Sequence, residues 1–96
     1  MKYRKRNGVS VVEAFRLGKD LQPQWFKQAI NERIITVEEY RVHSASVKTI
    51  EKISIKTTDG VKLYAHYGQY IMRDSKRIIY ICDIDYFENN YNLIER

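Results

Sequence analysis

Three residues have side chains that could serve as nucleophile, base and orienting group: Cys82, His66 and Asp85. A cysteine nucleophile needs a base within hydrogen-bond reach and a third group that holds the base in place. The strand-like patterns around His66 and Cys82 allow these two to be neighbours, with Asp85 one turn later. A structural reading competes with this one and outweighs it. Cysteine is among the most buried residue types, and aspartate is a common helix cap. Metal binding needs three or four ligands in fixed geometry. One cysteine and two histidines, His43 and His66, without close spacing, do not meet that requirement. The expectation is a protein without catalytic residues, metal or cofactor.

The second set of chemistry-bearing residues is basic. Lys2, Arg4, Lys5 and Arg6 surround Tyr3 and could grip phosphate, with Arg16 and Lys19 downstream. Arg73, Lys76 and Arg77 at a late turn could extend the patch, and Tyr64, Tyr70 and Tyr80 could stack on bases. No phosphate-cradling glycine loop or RNA-binding signature accompanies them. Nucleic-acid or nucleotide binding is therefore the alternative reading. Edge strands bearing exposed tyrosine and arginine have the composition of interface hot spots. A sheet edge can also pair with its own copy, giving a homodimer. The candidate contacts to a partner or to phosphate are Lys2, Arg4, Lys5, Arg6, Arg73, Lys76 and Arg77.

The elements that must position these residues follow from periodicity. Residues 1–8 form a basic arm closed by the turn signal Asn7-Gly8. Val9 to Phe15 alternates with apolar residues on both faces, as a covered central strand does. Pro23 suits a helix start, and Trp25, Phe26, Ala29 and Ile30 form one stripe at helical period. Trp25-Phe26 anchors that helix on a sheet. Ile34 to Val42, Val47 to Thr58 and Val61 to Tyr67 read as strands. Asp59-Gly60 between the last two predicts a type I′ hairpin turn, with both central residues at positive φ. Tyr70 to Arg73 and Arg77 to Cys82 flank the turn Asp74-Ser75-Lys76. Asp83 and Asp85 precede a short helix, with Asp85 and Glu88 spaced as a capping box. Tyr91, Leu93 and Ile94 are expected to fold back on the core.

The order β-α-β-β-β-β-β-α, dominated by hairpins, predicts an α+β fold. It has a mostly antiparallel sheet of about five to six strands, one amphipathic helix packed on it and a short C-terminal helix. Ninety-six residues make one domain, 1–96. The 44 % apolar and 30 % charged content is that of a folded globular chain. A single cysteine excludes an intrachain disulfide and fits a reducing cytoplasm. The basic start is followed only by a short apolar run broken by Glu13 and Arg16, which does not make a signal peptide. No apolar run approaches the roughly 20 residues of a membrane helix. The net charge of +5 is concentrated in the first half of the chain.

Two stretches also resemble a family of small, mostly uncharacterised phage and prophage proteins. The first is Met1-Lys2-Tyr3-Arg4-Lys5 followed by Val11-Val12-Glu13-Ala14-Phe15, and Trp25-Phe26 sits where that family has its own pair. The second comprises Gly68, Tyr70, Ile71, Tyr80, Cys82, Asp85, Phe87 and Tyr91. Departures fall at Tyr67, Gln69, Lys76-Arg77, Ile81 and Ile84. The resemblance implies a small phage accessory protein acting in the bacterial host cytoplasm. It would bind a host protein, such as a defence component, and modulate or inhibit it. The family supplies no catalytic residues to carry over.

Overall fold

The computed structural model describes residues 1–95. In chain order it contains β1 (Lys2–Lys5), β2 (Val11–Arg16), α1 (Gln24–Asn31), β3 (Ile35–Ser44), β4 (Val47–Lys56), β5 (Lys62–His66), β6 (Tyr70–Arg73), β7 (Ile79–Cys82), α2 (Ile84–Asn90) and β8 (Tyr91–Glu95). The fold is α+β and its strand pairings are antiparallel. Among the described residues the strands number eight rather than five or six, and they divide into two sheets. One sheet has the order β7-β6-β2-β1-β8 and the other β3-β4-β5.

The two additional strands are the ends of the chain. The basic arm is not free: it is β1, held between β2 and β8. Its sequence, KYRK, has no apolar alternation to reveal it. Tyr3 fastens it, packing edge-on against Phe87 at 4.7 Å and Tyr70 at 6.3 Å between ring centroids. Tyr91 folds back as expected, stacked on Phe87 at 4.6 Å. Leu93 and Ile94 do not; they stay exposed on the edge strand β8.

Strand β2 is central and apolar on both faces, because each face meets its own core. Phe15 faces a cluster with Trp25, Phe26 and Ala29 of α1, Ile71 of β6, and Ile35, Ile53 and Ile55 of the smaller sheet. Val12 and Ala14 face a second cluster with Tyr70, Met72, Cys82 and Phe87, closed by α2. The Trp25-Phe26 pair is the helix anchor, with both rings edge-on to Phe15.

Backbone geometry corrects two local expectations. At the β4–β5 turn only Gly60 has positive φ, at 85°. The Gly60 N–H donates to the Thr57 carbonyl, and the Thr57 N–H donates to Val61. This is a three-residue loop, a type I turn followed by a left-handed glycine, rather than type I′. Asp59 stays at negative φ, with its carboxylate accepting from the Thr57 hydroxyl. The capping box is absent as well. Asp83, not Asp85, is the N-cap of α2, and its side chain makes no cap bond. The Asp83 carboxylate accepts from Gln69 Nε2 at 2.9 Å, and Glu88 accepts from the Tyr70 hydroxyl at 3.1 Å. Both acids serve tertiary contacts that sequence spacing does not reveal.

The same left-handed position recurs with arginine in it. In the β6–β7 turn the Arg77 N–H donates to the Asp74 carbonyl, and Arg77 sits at φ 66°. At the end of α1, Ile34 donates to Ala29 and Arg33 to Ile30, a Schellman arrangement with Arg33 at φ 62°. Glycine is the usual occupant of such positions, since a Cβ there is strained.

Candidate functional site

Cys82, His66 and Asp85 do not assemble. His66 lies on β5 of the three-stranded sheet and Cys82 on β7 of the five-stranded one. His66 and Asp85 are exposed, whereas Cys82 is buried beneath α2. Burial, aided by the Asp83 charge, pushes its thiol upward and away from the thiolate form. No group of three or more histidine, cysteine or acidic residues converges on one point among the described residues.

The basic residues fare differently, because the register brings two distant sets onto one sheet face. Lys2 lies opposite Glu13, and Glu13 opposite Arg73. Side chains directly opposite in an antiparallel ladder share a face, with strands about 4.8 Å apart. Lys2 and Arg73 are therefore two strands apart on the face that carries α1. Arg4, two residues from Lys2, shares that face. Arg6 donates from Nε to Asn92 Oδ1 at 3.2 Å, and Asn92 lies opposite Arg4. Lys5 has the parity of Tyr3 and turns to the other face, so the predicted N-terminal cluster is split.

Acids interrupt this face. Arg73 pairs with Glu13 at 3.1 Å, and Lys2 with Glu95 at 3.9 Å. The cross-strand row reads Glu95, Lys2, Glu13, Arg73, alternating in sign. Each pair is solvent-screened and contributes less than about 1 kcal/mol to stability. Their larger effect is to cancel the field that a polyanion would follow. Arg4, Lys5, Lys76 and Arg77 form no side-chain hydrogen bond or ion pair among the described residues.

Beside Arg73 a groove of about 390 Å³ opens between α1 and the β6–β7 turn. Its walls include Trp25 of the helix, Glu32 at the helix C-cap, Ile34 just beyond it, and Arg73, Arg77 and Ile79 of the hairpin. The Arg73 guanidinium sits over the Trp25 ring, 5.3 Å from its centroid. That contact and the Glu13 carboxylate hold Arg73 from two sides. Arg77 stands opposite at the rim, presented by the strained turn. Asp74 braces that turn: its Oδ1 accepts from the N–H groups of Lys76 and Ile78, and its Oδ2 from the Tyr80 hydroxyl. These bonds hold the Asp74 carboxyl below its ordinary value, Ile78 being the largest cause. Lys76 is exposed on the same turn and does not line the groove.

The sequence favours Trp25 as a core anchor over an exposed binding residue; the structure makes it a buried anchor whose ring also lines the groove. Sequence reasoning missed Ile34, Ile79 and Glu32, because a groove is made by packing two elements that no local pattern relates. A second hollow, about 260 Å³, lies at the base of the β3–β4 hairpin between Ile30, Val37, Tyr40, Lys48 and Ile50. It contains none of the candidate contact residues.

Compared with protein-family models, with curated proteins and with solved structures, the chain matches none. No helix among the described residues is long and apolar enough to cross a membrane.

Proposed function

We propose that this protein is a small non-enzymatic accessory protein of phage type. In this reading it holds a bacterial host protein in the groove between α1 and the β6–β7 turn and so modulates or inhibits it. One observation carries the reading: a tryptophan, two arginines and two isoleucines converge on one open groove, with one arginine kept at a left-handed backbone position. Tryptophan and arginine dominate protein-binding hot spots. Strained backbone clusters at binding sites, and of the two left-handed arginines Arg77 borders the groove while Arg33 closes α1. The phage-like stretches around Tyr3 and Tyr80 make a host component the expected partner.

The basic face supports nucleic-acid or nucleotide binding less well. Its residues share a face, but Glu13 and Glu95 alternate with them and pair with Arg73 and Lys2. A polyanion site needs an uninterrupted basic track.

The test uses the full chain as bait in host lysate, beside an Arg73→Ala/Arg77→Ala variant whose folding is verified by circular dichroism. The expected result is a specific host protein captured by the wild type and lost with the variant. Trp25 is the only tryptophan, so its fluorescence should shift when the purified partner is added. Recovery of no specific partner would overturn the reading. So would salt-dependent oligonucleotide binding that disappears when Lys2, Arg4, Lys5 and Arg6 become alanine.

A further inference from the structure

The two sheets have four edge strands, and three of them are blunted. Strand β3 shifts register against β4 at three places and carries Glu38, Glu39 and Arg41. Strand β8 is bulged against β1 and ends on Glu95. Strand β5 carries Lys62 and His66, and Gln69 Oε1 already accepts the His66 N–H at 2.8 Å. These are the usual devices against strand-to-strand association.

Strand β7 has none of them. Its register against β6 is unbroken, and Ile78 to Cys82 contains no charge and no proline. Ile78 and Asp74 exchange hydrogen bonds, the Asp74 N–H to the Ile78 carbonyl and the Ile78 N–H to Asp74 Oδ1. By the alternation of an antiparallel ladder, Tyr80 and Cys82 also turn their main-chain groups toward β6. Ile79 and Ile81 turn theirs outward, where no described residue meets them.

We infer that β7 pairs antiparallel with β7 of a second copy, about a two-fold axis at Tyr80, joining the two five-stranded sheets into one. Three features of the edge are self-complementary in that register. Ile79 of each copy lies opposite Ile81 of the other, so the outward N–H and C=O groups bond reciprocally. At either end Arg77 comes opposite Asp83 of the second copy. Arg77 has no charge partner among the described residues of its own chain, and Asp83 has one oxygen beyond the bond from Gln69. Ile78 and Tyr80, 48 % and 43 % exposed in the single chain, are covered. The axis runs perpendicular to the sheet, so both α1 grooves lie side by side on one face. The edge is short, and a strand-pair interface of this size gives a concentration-dependent dimer with an affinity on the order of micromolar. This inference does not depend on what occupies the groove.

Sedimentation velocity over a concentration series tests it. The wild type should pass from the 11.5 kDa chain mass to twice that value. Ile81→Pro removes one outward N–H, is tolerated on an edge strand, and should remain at the single-chain mass. Arg77→Asp should weaken association about tenfold by setting like charges opposite one another, and Arg77→Asp/Asp83→Arg should restore it. The charge-swap pair keeps the test decisive if the proline variant fails to fold. A wild type that stays at the single-chain mass throughout overturns the inference, as does a folded Ile81→Pro variant that dimerises like the wild type.

Discussion

Replacing Arg77 with glycine should stabilise the fold while removing part of the proposed binding surface. Arg77 sits at φ 66°, where a Cβ crowds the carbonyl oxygen, and among the described residues its side chain makes no bond that would be lost. The left-handed conformation costs an L-residue about 1–2 kcal/mol. Glycine relieves that strain but adds about 0.5–1 kcal/mol of unfolded-chain entropy. The net gain is about 0.5–1 kcal/mol, or roughly 2–5 °C in Tm for a domain of this size. Arg77→Ala is the control, since it deletes the same guanidinium and keeps the strain. Urea denaturation of both variants, at concentrations where the chain is monomeric, separates the two effects. Arg77→Gly should exceed Arg77→Ala in stability, while both lose host-protein capture. If glycine is no more stable than alanine, the turn is not strained and the argument from backbone to function fails. If both variants capture the partner as the wild type does, Arg77 is not part of the site.

Three further outcomes follow from packing and ionisation. Phe87 is 1 % exposed, stacked on Tyr70 at 3.9 Å and edge-on to Tyr3, so Phe87→Ala should cost about 3–5 kcal/mol and loosen β1 and β8 first, as read by hydrogen exchange. Asp74 is held below its ordinary value of 3.8, so its contribution is present above that pH and lost as pH falls through the folded value. Amide protection at Lys76 and Ile78 should fall in acid, and Asp74→Asn, which keeps an acceptor oxygen but does not titrate, should remove that pH dependence. Burial and the Glu88 carboxylate push the Tyr70 phenol up to about 12 from 10.0. Its contribution is therefore full below pH 10 and lost between there and about pH 12, where the unfolded chain ionises first. Tyr70→Phe should flatten that part of an alkaline stability curve; an unchanged slope would mean that the phenol is not held neutral by the fold.

The hairpins, the amphipathic helix and the two-faced central strand could be read from the chain because each is a local pattern. Trp25, Phe26, Ala29 and Ile30 repeat at helical period, and Val12, Ala14 and Phe15 leave no polar face on β2. The terminal strands could not be read. Lys2 to Lys5 is mostly charged, and its place in the sheet rests on Tyr3 reaching Phe87, 84 positions away in the sequence. The type I′ assignment failed because Asp-Gly fits either turn, and loop length decides between them. The capping box failed because Asp83 and Glu88 bond to Gln69 and Tyr70 instead.

The candidate site divides along the same line. Sequence alone determined that Arg73 and Arg77 flank a turn, that Trp25 anchors a helix and that Lys2, Arg4, Lys5 and Arg6 form a basic start. It also showed that no catalytic or metal-binding pattern is spelled out. Only the tertiary structure decided that α1 and the β6–β7 turn meet, that Arg73 lies over Trp25, and that Glu13 and Glu95 interleave with the bases on one face. Cross-strand neighbours are set by register, and register depends on which faces each strand must bury. Short-range periodicity names the faces but not the partners. For that reason the arginines were visible in the chain, and the groove they border was not.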